Sequence, residues 1–258
     1  MEQKTVQDKR MYPQLTIANN AKPKRWLAFP FLGYLIRVIL VIPIGIMLLF
    51  LALWYFILWM ITPFVILFTG NYWDVAYKYA LINMRVSTKV YLYVFGLTDK
   101  YPGFSLDENG IFTLKYEKPT APSRFLAFPL LGLFIRSLIL TPYLIYESIL
   151  GRASFVGVIC SWFAVLFTGK YPESLYEFIR DYIRVTNASF IYLGYLSDTY
   201  PSFRISMNHK VIKIILLLIG ILLTFANFLG QAQSRNNYRQ YNNYHYSTSS
   251  PADYNPYK

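Results

Sequence analysis

The feature that most limits how this chain can fold is a repeat. Residues 25–37 read RWLAFPFLGYLIR, and residues 124–136 read RFLAFPLLGLFIR, at an offset of 99 positions. The same offset relates LTDKYPGF at 97–104 to LSDTYPSF at 196–203, so no insertion or deletion separates the two copies. Self-similarity at a fixed period indicates a repeated structural unit. The sequence therefore predicts a chain built from two tandem units.

The apolar residues of this chain are concentrated in long runs. The chain is 55% hydrophobic and 15% charged, whereas soluble domains have about 25% charged residues. No charged side chain occurs from Val38 to Phe68. This concentration predicts an integral membrane protein. The polar start, MEQKTVQDKR, has no apolar core, so we expect no cleavable signal peptide.

Each unit contains an apolar block, 27–69 in the first and 126–168 in the second. One transmembrane helix needs about 20 apolar residues, so a block about twice that length favours a helical hairpin that spans the membrane or stops partway. Gly151 and Arg152 provide a turn signal in the second block, and Glu147 would then lie near water at the hairpin tip. A single long helix, bent at its prolines, is the alternative.

A third element follows each block, at 73–97 in the first unit. A helical wheel groups Lys78, Arg85 and Lys89 in one basic stripe, which predicts an amphipathic helix in the membrane interface, in contact with anionic lipids. The matching helix of the second unit is nearly neutral, because its charges can pair along one face. Those charged residues are Glu173, Glu177, Arg180 and Arg184, and Arg184 completes the lipid- or partner-binding candidates of the two helices.

Arg37 and Arg136 are the strongest candidate site residues, because an ionisable side chain inside an apolar block is costly and often functional. They could face each other, a lipid phosphate, a partner protein or Glu147. Alternatively, each could extend toward the headgroups without any specific ligand. Asp99 and Asp198 also recur, and a role in capping a turn is favoured for them over a role in chemistry.

The predicted fold is an α-helical membrane protein with two tandem helical-hairpin units, each with an interfacial amphipathic helix, small cytoplasmic β elements and a C-terminal transmembrane helix. Basic residues flank both ends of the first hairpin, which predicts that residues 20, 110 and 207 are all cytoplasmic. The predicted organisation is a polar N-terminus at 1–11, unit 1 at 12–110, unit 2 at 111–209, a transmembrane helix at 210–230 and a disordered Asn/Tyr-rich tail at 231–258.

Three short motifs occur twice in the same order: R-x-L-A-F-P, L-F-T-G-x-Y and L-[TS]-D-x-Y-P-x-F. With these motifs the chain resembles a family of bacterial membrane proteins known as the domain of unknown function 4389, over about residues 12–206. The resemblance implies two tandem copies in the bacterial inner membrane and implies no particular activity. The second copy, with Lys170-Tyr171-Pro172, is closer to the family pattern than the first, with Asn71-Tyr72-Trp73.

The sequence has no catalytic or metal-binding constellation. Its two histidines have no carboxylate or cysteine at ligand spacing, and no glycine-rich phosphate loop or nucleophile elbow occurs. We therefore expect a non-enzymatic protein, without cofactor, metal or nucleic acid, that scaffolds or shapes the membrane and recruits partners. The alternative is an accessory or assembly subunit of a larger membrane protein complex, which binds lipid or protein through its repeated arginines. A transporter and a lipid enzyme rank below both. The expected partners are anionic lipids and either other membrane proteins or further copies of this chain.

Overall fold

The computed structural model describes residues 14–17, 23–108, 110, 112–116, 118–119 and 122–248. The predicted N-terminal segment 1–11 and the end of the predicted tail, 249–258, lie outside these residues. The described residues form two short strands and five α-helices. These are β1 (Gln14–Ile17), α1 (Leu32–Thr69), α2 (Asp74–Val94), β2 (Phe112–Lys115), α3 (Leu131–Thr168), α4 (Glu173–Leu193) and α5 (Lys210–Thr248).

Each apolar block forms one continuous helix, which corrects the predicted helical hairpin. Helices α1 and α3 are both 38 residues long, or about 57 Å at 1.5 Å per residue. The expected turn at Gly151 lies inside α3, where a Cβ would stand 3.2 Å from the Tyr182 hydroxyl of α4. Gly151 therefore makes room for a neighbouring helix. Glu147 likewise lies within α3 and not at a hairpin tip.

Both long helices end where the repeated FTG sequence predicts a stop. Gly70 and Gly169 follow the last helical residues with φ of +73° and +70°. This left-handed conformation is readily available to glycine and is common directly after a helix. The glycines allow the chain to reverse into the next helix of each unit.

Helices α2 and α4 return along α1 and α3 and have 21 residues each. Each buries one face against its long helix, as a surface helix does against a core. The buried positions include Ala76, Ala80 and Met84 of α2, and Phe178, Ile179 and Ile183 of α4. Placement of α2 and α4 in a membrane interface stays a prediction.

The two strands form an antiparallel two-stranded sheet that joins the units. Leu15 lies opposite Leu114, which occupies the equivalent position 99 residues later, and Thr16 lies opposite Thr113. Equivalent residues face each other directly only near a local two-fold axis. The register therefore indicates that the units are related by a local two-fold rotation.

Helix α5 packs against α3 and is longer than predicted. A Cβ on Gly220 would lie 2.4 Å from the carbonyl oxygen of Ile149, so the glycine permits close approach of the two helices, as small residues do between membrane helices. The helix continues to Thr248, which corrects the prediction that residues 231–248 are disordered.

Three of the described helices are long and apolar enough to cross a membrane, which is compatible with a membrane protein. They are Leu32–Thr69, Leu131–Thr168 and the Lys210–Asn243 part of α5.

Candidate functional site

Arg37 is buried, with 3% of its surface exposed, and it contacts its own unit. Its Nη1 donates to the carbonyl oxygens of Tyr93 at 2.6 Å and Thr98 at 2.9 Å. Its Nη2 forms an ion pair with Asp99, and its Nε donates to Leu27 O at 3.5 Å. One guanidinium thus ties together the turn before α1, the end of α2 and the loop that follows α2.

Arg136 makes the equivalent contacts in unit 2 and is fully buried. Its Nη1 donates to Tyr192 O at 2.8 Å and Ser197 O at 2.9 Å. Its Nη2 pairs with Asp198, and its Nε donates to Leu126 O at 3.1 Å. We call each set of contacts an arginine clamp.

The two aspartates of the clamps also accept from the backbone. Asp99 Oδ2 accepts from Lys24 N, and Asp198 Oδ2 accepts from Ser123 N, both at 2.6 Å. A carboxylate held between a guanidinium and an amide satisfies a buried cation that would otherwise be costly. The recurring aspartates therefore anchor the segment before each long helix.

The clamp explains the glycine of the repeated motif. A Cβ on Gly33 would lie 2.4 Å from Leu27 O, and a Cβ on Gly132 would lie 2.4 Å from Leu126 O. These carbonyls accept from Nε of the two clamp arginines. Glycine is required because the carbonyl packs directly against the first turn of the long helix.

A second set of repeated residues connects the units reciprocally. A Cβ on Gly169 would lie 2.9 Å from Nη2 of Arg25, and a Cβ on Gly70 would lie 2.7 Å from Nη2 of Arg124. The arginine that precedes each long helix therefore lies at the C-terminal end of the other unit's long helix. A cation is favourable there, because the last carbonyls carry partial negative charge. The two long helices are therefore antiparallel, with the N-terminal end of each beside the C-terminal end of the other.

Two tyrosines form a further reciprocal pair of contacts. The Tyr72 hydroxyl donates to Gly194 O at 3.0 Å, and the Tyr171 hydroxyl donates to Phe95 O at 3.4 Å. Burial raises the pKa of both phenols above their usual value, because a buried phenolate would lose its hydration. Both hydroxyls therefore stay protonated and able to donate.

The basic stripe of α2 is largely covered by the loop after that helix. Lys89 is 1% exposed and its Nζ donates to Ser105 O at 2.7 Å. Burial lowers the pKa of Lys89, and the nearby Asp107 and Glu108 oppose that shift. Arg85 Nε lies 3.3 Å from Glu108 Oε1, and of the three stripe residues only Lys78 is exposed.

In α4, the ion-pair partner of Arg180 and Arg184 is Asp181, whereas the sequence predicted pairing with Glu173 and Glu177. This 2%-exposed carboxylate lies within 3.5 Å of Arg180 and Arg184 and accepts from Ser206 N at 2.6 Å. The cluster holds the segment before α5 against α4. Asp181 was missed because its equivalent in unit 1 is Ile82, so the repeat gave no signal.

The predicted site residues therefore divide into separate groups. Arg37 and Arg136 belong to two different clamps and do not contact each other. Each pairs with an aspartate of its own unit, which the sequence did not predict. Lipid or partner binding by the six candidates stays a prediction. Among the described residues, no group of three or more His, Cys, Asp or Glu side chains could hold a metal ion.

The helix pair with the second clamp also carries the similarity to known proteins. Residues 131–204 match the model of a family described as a domain of unknown function, DUF4389. The DUF4389 match begins at the first residue of α3 and includes Arg136, the FTG stop, α4 and Asp198. No curated protein and no solved structure matches this sequence. The matched part is therefore a helix pair closed by one clamp, and the description of the matching family names no activity.

Proposed function

We propose that this protein is a non-enzymatic integral protein of the bacterial inner membrane that scaffolds or shapes the bilayer and recruits partners. We further propose that residues 12–110 are a first copy of the DUF4389 domain, in tandem with the second. The clamp motif and its partners recur there at the same offset of 99 positions, which supports this extension.

The observation that carries the proposal is the reciprocal contact of Arg25 with Gly169 and of Arg124 with Gly70. Because the ends of the long helices meet in this way, two arrangements are open. Either the units are inverted across the bilayer, or all four ends lie on one side. The basic flanks favour the second arrangement.

In the one-sided arrangement, α1 and α3 lie along the bilayer as two long apolar wedges. Helix α1 is compatible with this arrangement, because most of its apolar surface is not covered by the rest of the protein and interior bends are available at Pro43 and Pro63. Helices inserted into one leaflet increase the area of that leaflet and so favour membrane curvature. Binding of interfacial helices to membranes is sensitive to curvature for the same reason. Anionic lipids would meet the exposed basic residues at the helix ends, including Lys24, Arg25, Arg124 and Lys170.

The test is the shape of liposomes that contain the purified protein, imaged by electron microscopy over a range of protein-to-lipid ratios. We expect tubules or vesicles of reduced diameter as the ratio rises. The matched control is Arg25→Ala/Arg124→Ala, which removes both reciprocal contacts and should deform liposomes less. Normal spherical liposomes at every ratio, with the protein inserted, would contradict membrane shaping.

The second candidate function is an accessory or assembly subunit of a larger membrane complex. It is favoured by one observation: α3 of unit 2 carries Arg152 and Glu147 in an apolar helix, where unit 1 has Leu53 and Leu48. Ionisable residues inside membrane helices commonly mark functional contacts.

A further inference from the structure

Arg152 is a half-buried cation between two of the helices that could cross a membrane. Its Nη1 donates to Ser148 O at 3.4 Å and to Thr224 Oγ1 of α5 at 3.3 Å, and it also contacts Ser148 Oγ. All of these acceptors are uncharged. Among the described residues, no carboxylate forms an ion pair with Arg152; the ion pairs there involve other basic residues.

The contact of Arg152 with α5 indicates how deep this side chain would lie in a bilayer. The apolar segment of α5, residues 211–230, has Gly220 at its centre, and Gly220 packs on Ile149 and Ala153. Thr224 is one turn further along, about 6 Å from the centre at 1.5 Å per residue. If α5 crosses the bilayer, Arg152 lies close to mid-depth, whichever way α3 is inclined.

A lipid phosphate is a poor partner for a cation at this depth. The headgroups lie about 15 Å from the centre of a hydrocarbon core that is about 30 Å thick. Contact with a phosphate would require local thinning of the bilayer or penetration of water. A carboxylate on another transmembrane helix reaches the same depth without deforming the membrane.

The surface beside Arg152 is suited to a helix. On α3 the exposed Phe155 follows by one turn, and on α5 the exposed Phe228 follows Thr224 by one turn. An apolar surface around one polar contact excludes water from that contact, which is the arrangement of strong interface residues. The equivalent position in unit 1 is Leu53, so the charge is specific to the unit that seats α5.

We propose that Arg152 pairs with a carboxylate at mid-depth of a transmembrane helix of a partner protein, which docks against α3 and α5 beside Arg152. This inference rests on the second candidate function, the accessory subunit, and on α5 crossing the membrane. It names the chemistry of the partner: an apolar helix with one Asp or Glu near its centre. Pairing neutralises two charges that are each unfavourable in hydrocarbon.

The test uses synthetic transmembrane peptides and the full chain in nanodiscs of neutral phosphatidylcholine. The first probe is a helix of about 20 leucines with lysine flanks, one central Glu and an acceptor dye; the second has Gln at the same place. Energy transfer from the protein's tryptophans reports binding. We expect the Glu peptide to bind about tenfold more tightly than the Gln peptide, the scale of a single polar contact between membrane helices.

The preference for the Glu peptide should disappear in Arg152→Leu and persist in part in Arg152→Lys. A third peptide, with its Glu near one end, should bind like the Gln peptide, because the carboxylate is then at the wrong depth. Equal affinity of the native protein for the central Glu and Gln peptides would overturn the proposal, even if Arg152→Leu did not fold. A Glu preference that survives in folded Arg152→Leu would also overturn it.

Two further outcomes separate this proposal from its alternatives. If the native protein shows no peptide preference but retains phosphatidylglycerol that Arg152→Leu loses, by native mass spectrometry, then the partner is a lipid and the proposal is wrong. Liposome deformation should be the same for Arg152→Leu and the native protein, because Arg152 takes no part in the contacts between helix ends. Failure of membrane shaping and failure of helix docking are therefore measured separately.

Discussion

Asn187 donates a hydrogen bond from Nδ2 to Oγ1 of Thr88 at 3.2 Å, and the two residues are separated by 99 positions. That separation is the offset of the repeat, so the contact joins equivalent positions of the two units. The register of Leu15 and Leu114 in the sheet has the same property. Contacts of this kind are typical of an isologous interface in a homodimer. This chain therefore contains, in covalent form, the interface that two separate copies of one unit would make.

The arginine clamp should be a main source of stability. Arg136→Leu leaves Asp198 without its guanidinium partner and three backbone carbonyls without their donor, and breaking a buried ion pair costs about 3–5 kcal/mol. Arg136→Lys should also destabilise, because an ammonium cannot reproduce the planar array of donors. Thermal unfolding in detergent measures both. The exposed Lys78→Ala is the control, with an expected change within about 0.5 kcal/mol. An unchanged melting temperature for Arg136→Leu would show that the clamp contributes no net stability.

The glycine caps should couple to the arginines of the opposite unit. Gly70→Ala should destabilise by about 1 kcal/mol or more, because alanine is strained at φ of +73° and its Cβ would meet Arg124. Part of that cost should vanish in the Arg124→Ala background, where the steric conflict is absent. A double-mutant cycle measures this coupling. Strictly additive effects would mean that Arg124 does not occupy the cap.

Lys89 should make stability depend on pH in the alkaline range. Its pKa in the folded protein is lowered from 10.5 by burial, so the unfolded chain holds this proton up to a higher pH than the folded chain. The free energy of unfolding contributed by Lys89 should therefore increase with pH between its lowered pKa and 10.5. Lys89→Met should lose that increase. Because tyrosines titrate in both the native protein and Lys89→Met, their contribution cancels in the difference between the two. If the free energy of unfolding depended on pH in the same way in both proteins, Lys89 would not be the source of the increase.

The two units should assemble when they are made as separate chains. Residues 1–110 and 111–258, co-expressed with a tag on one fragment, should co-purify, because the reciprocal contacts need no covalent link. Thr88→Leu should weaken the pairing, since it leaves the buried Asn187 amide without its acceptor. The exposed Lys78→Ala again serves as the control. Stable fragments that purify separately would show that the linker between the units holds them together.

The side of the membrane occupied by each unit can be measured by cysteine labelling. In a Cys160→Ala background, cysteines at residues 20 and 110 and at the exposed residue 208, next to the buried Met207, should all be protected from a membrane-impermeant reagent applied to whole cells. A cysteine at the exposed residue 71, just after the end of α1, should be protected too, if all four ends of the long helices lie on one side. Labelling at residue 71 but not at residue 20 would support the inverted arrangement, because these residues lie beyond opposite ends of α1, and would contradict the wedge geometry.

The elements that depend on local chemistry can be read from the amino-acid sequence. The fixed offset predicts two units of equal length, and the structure has helices of 38 and 21 residues in each. The FTG segments predict the ends of the long helices because glycine readily adopts the left-handed conformation there. The apolar runs indicate membrane helices by length and composition alone.

Which of these residues contact each other depends on how the helices pack in three dimensions. The hairpin prediction was wrong because a turn and a close helix contact both favour glycine, and only the position of Tyr182 distinguishes them at Gly151. The pairing of Arg37 with Asp99 crosses 62 positions, and that of Arg25 with Gly169 crosses from one unit to the other. Periodicity and local propensity report the environment of a residue along its own helix, whereas a buried charge takes its partner from the way the helices pack.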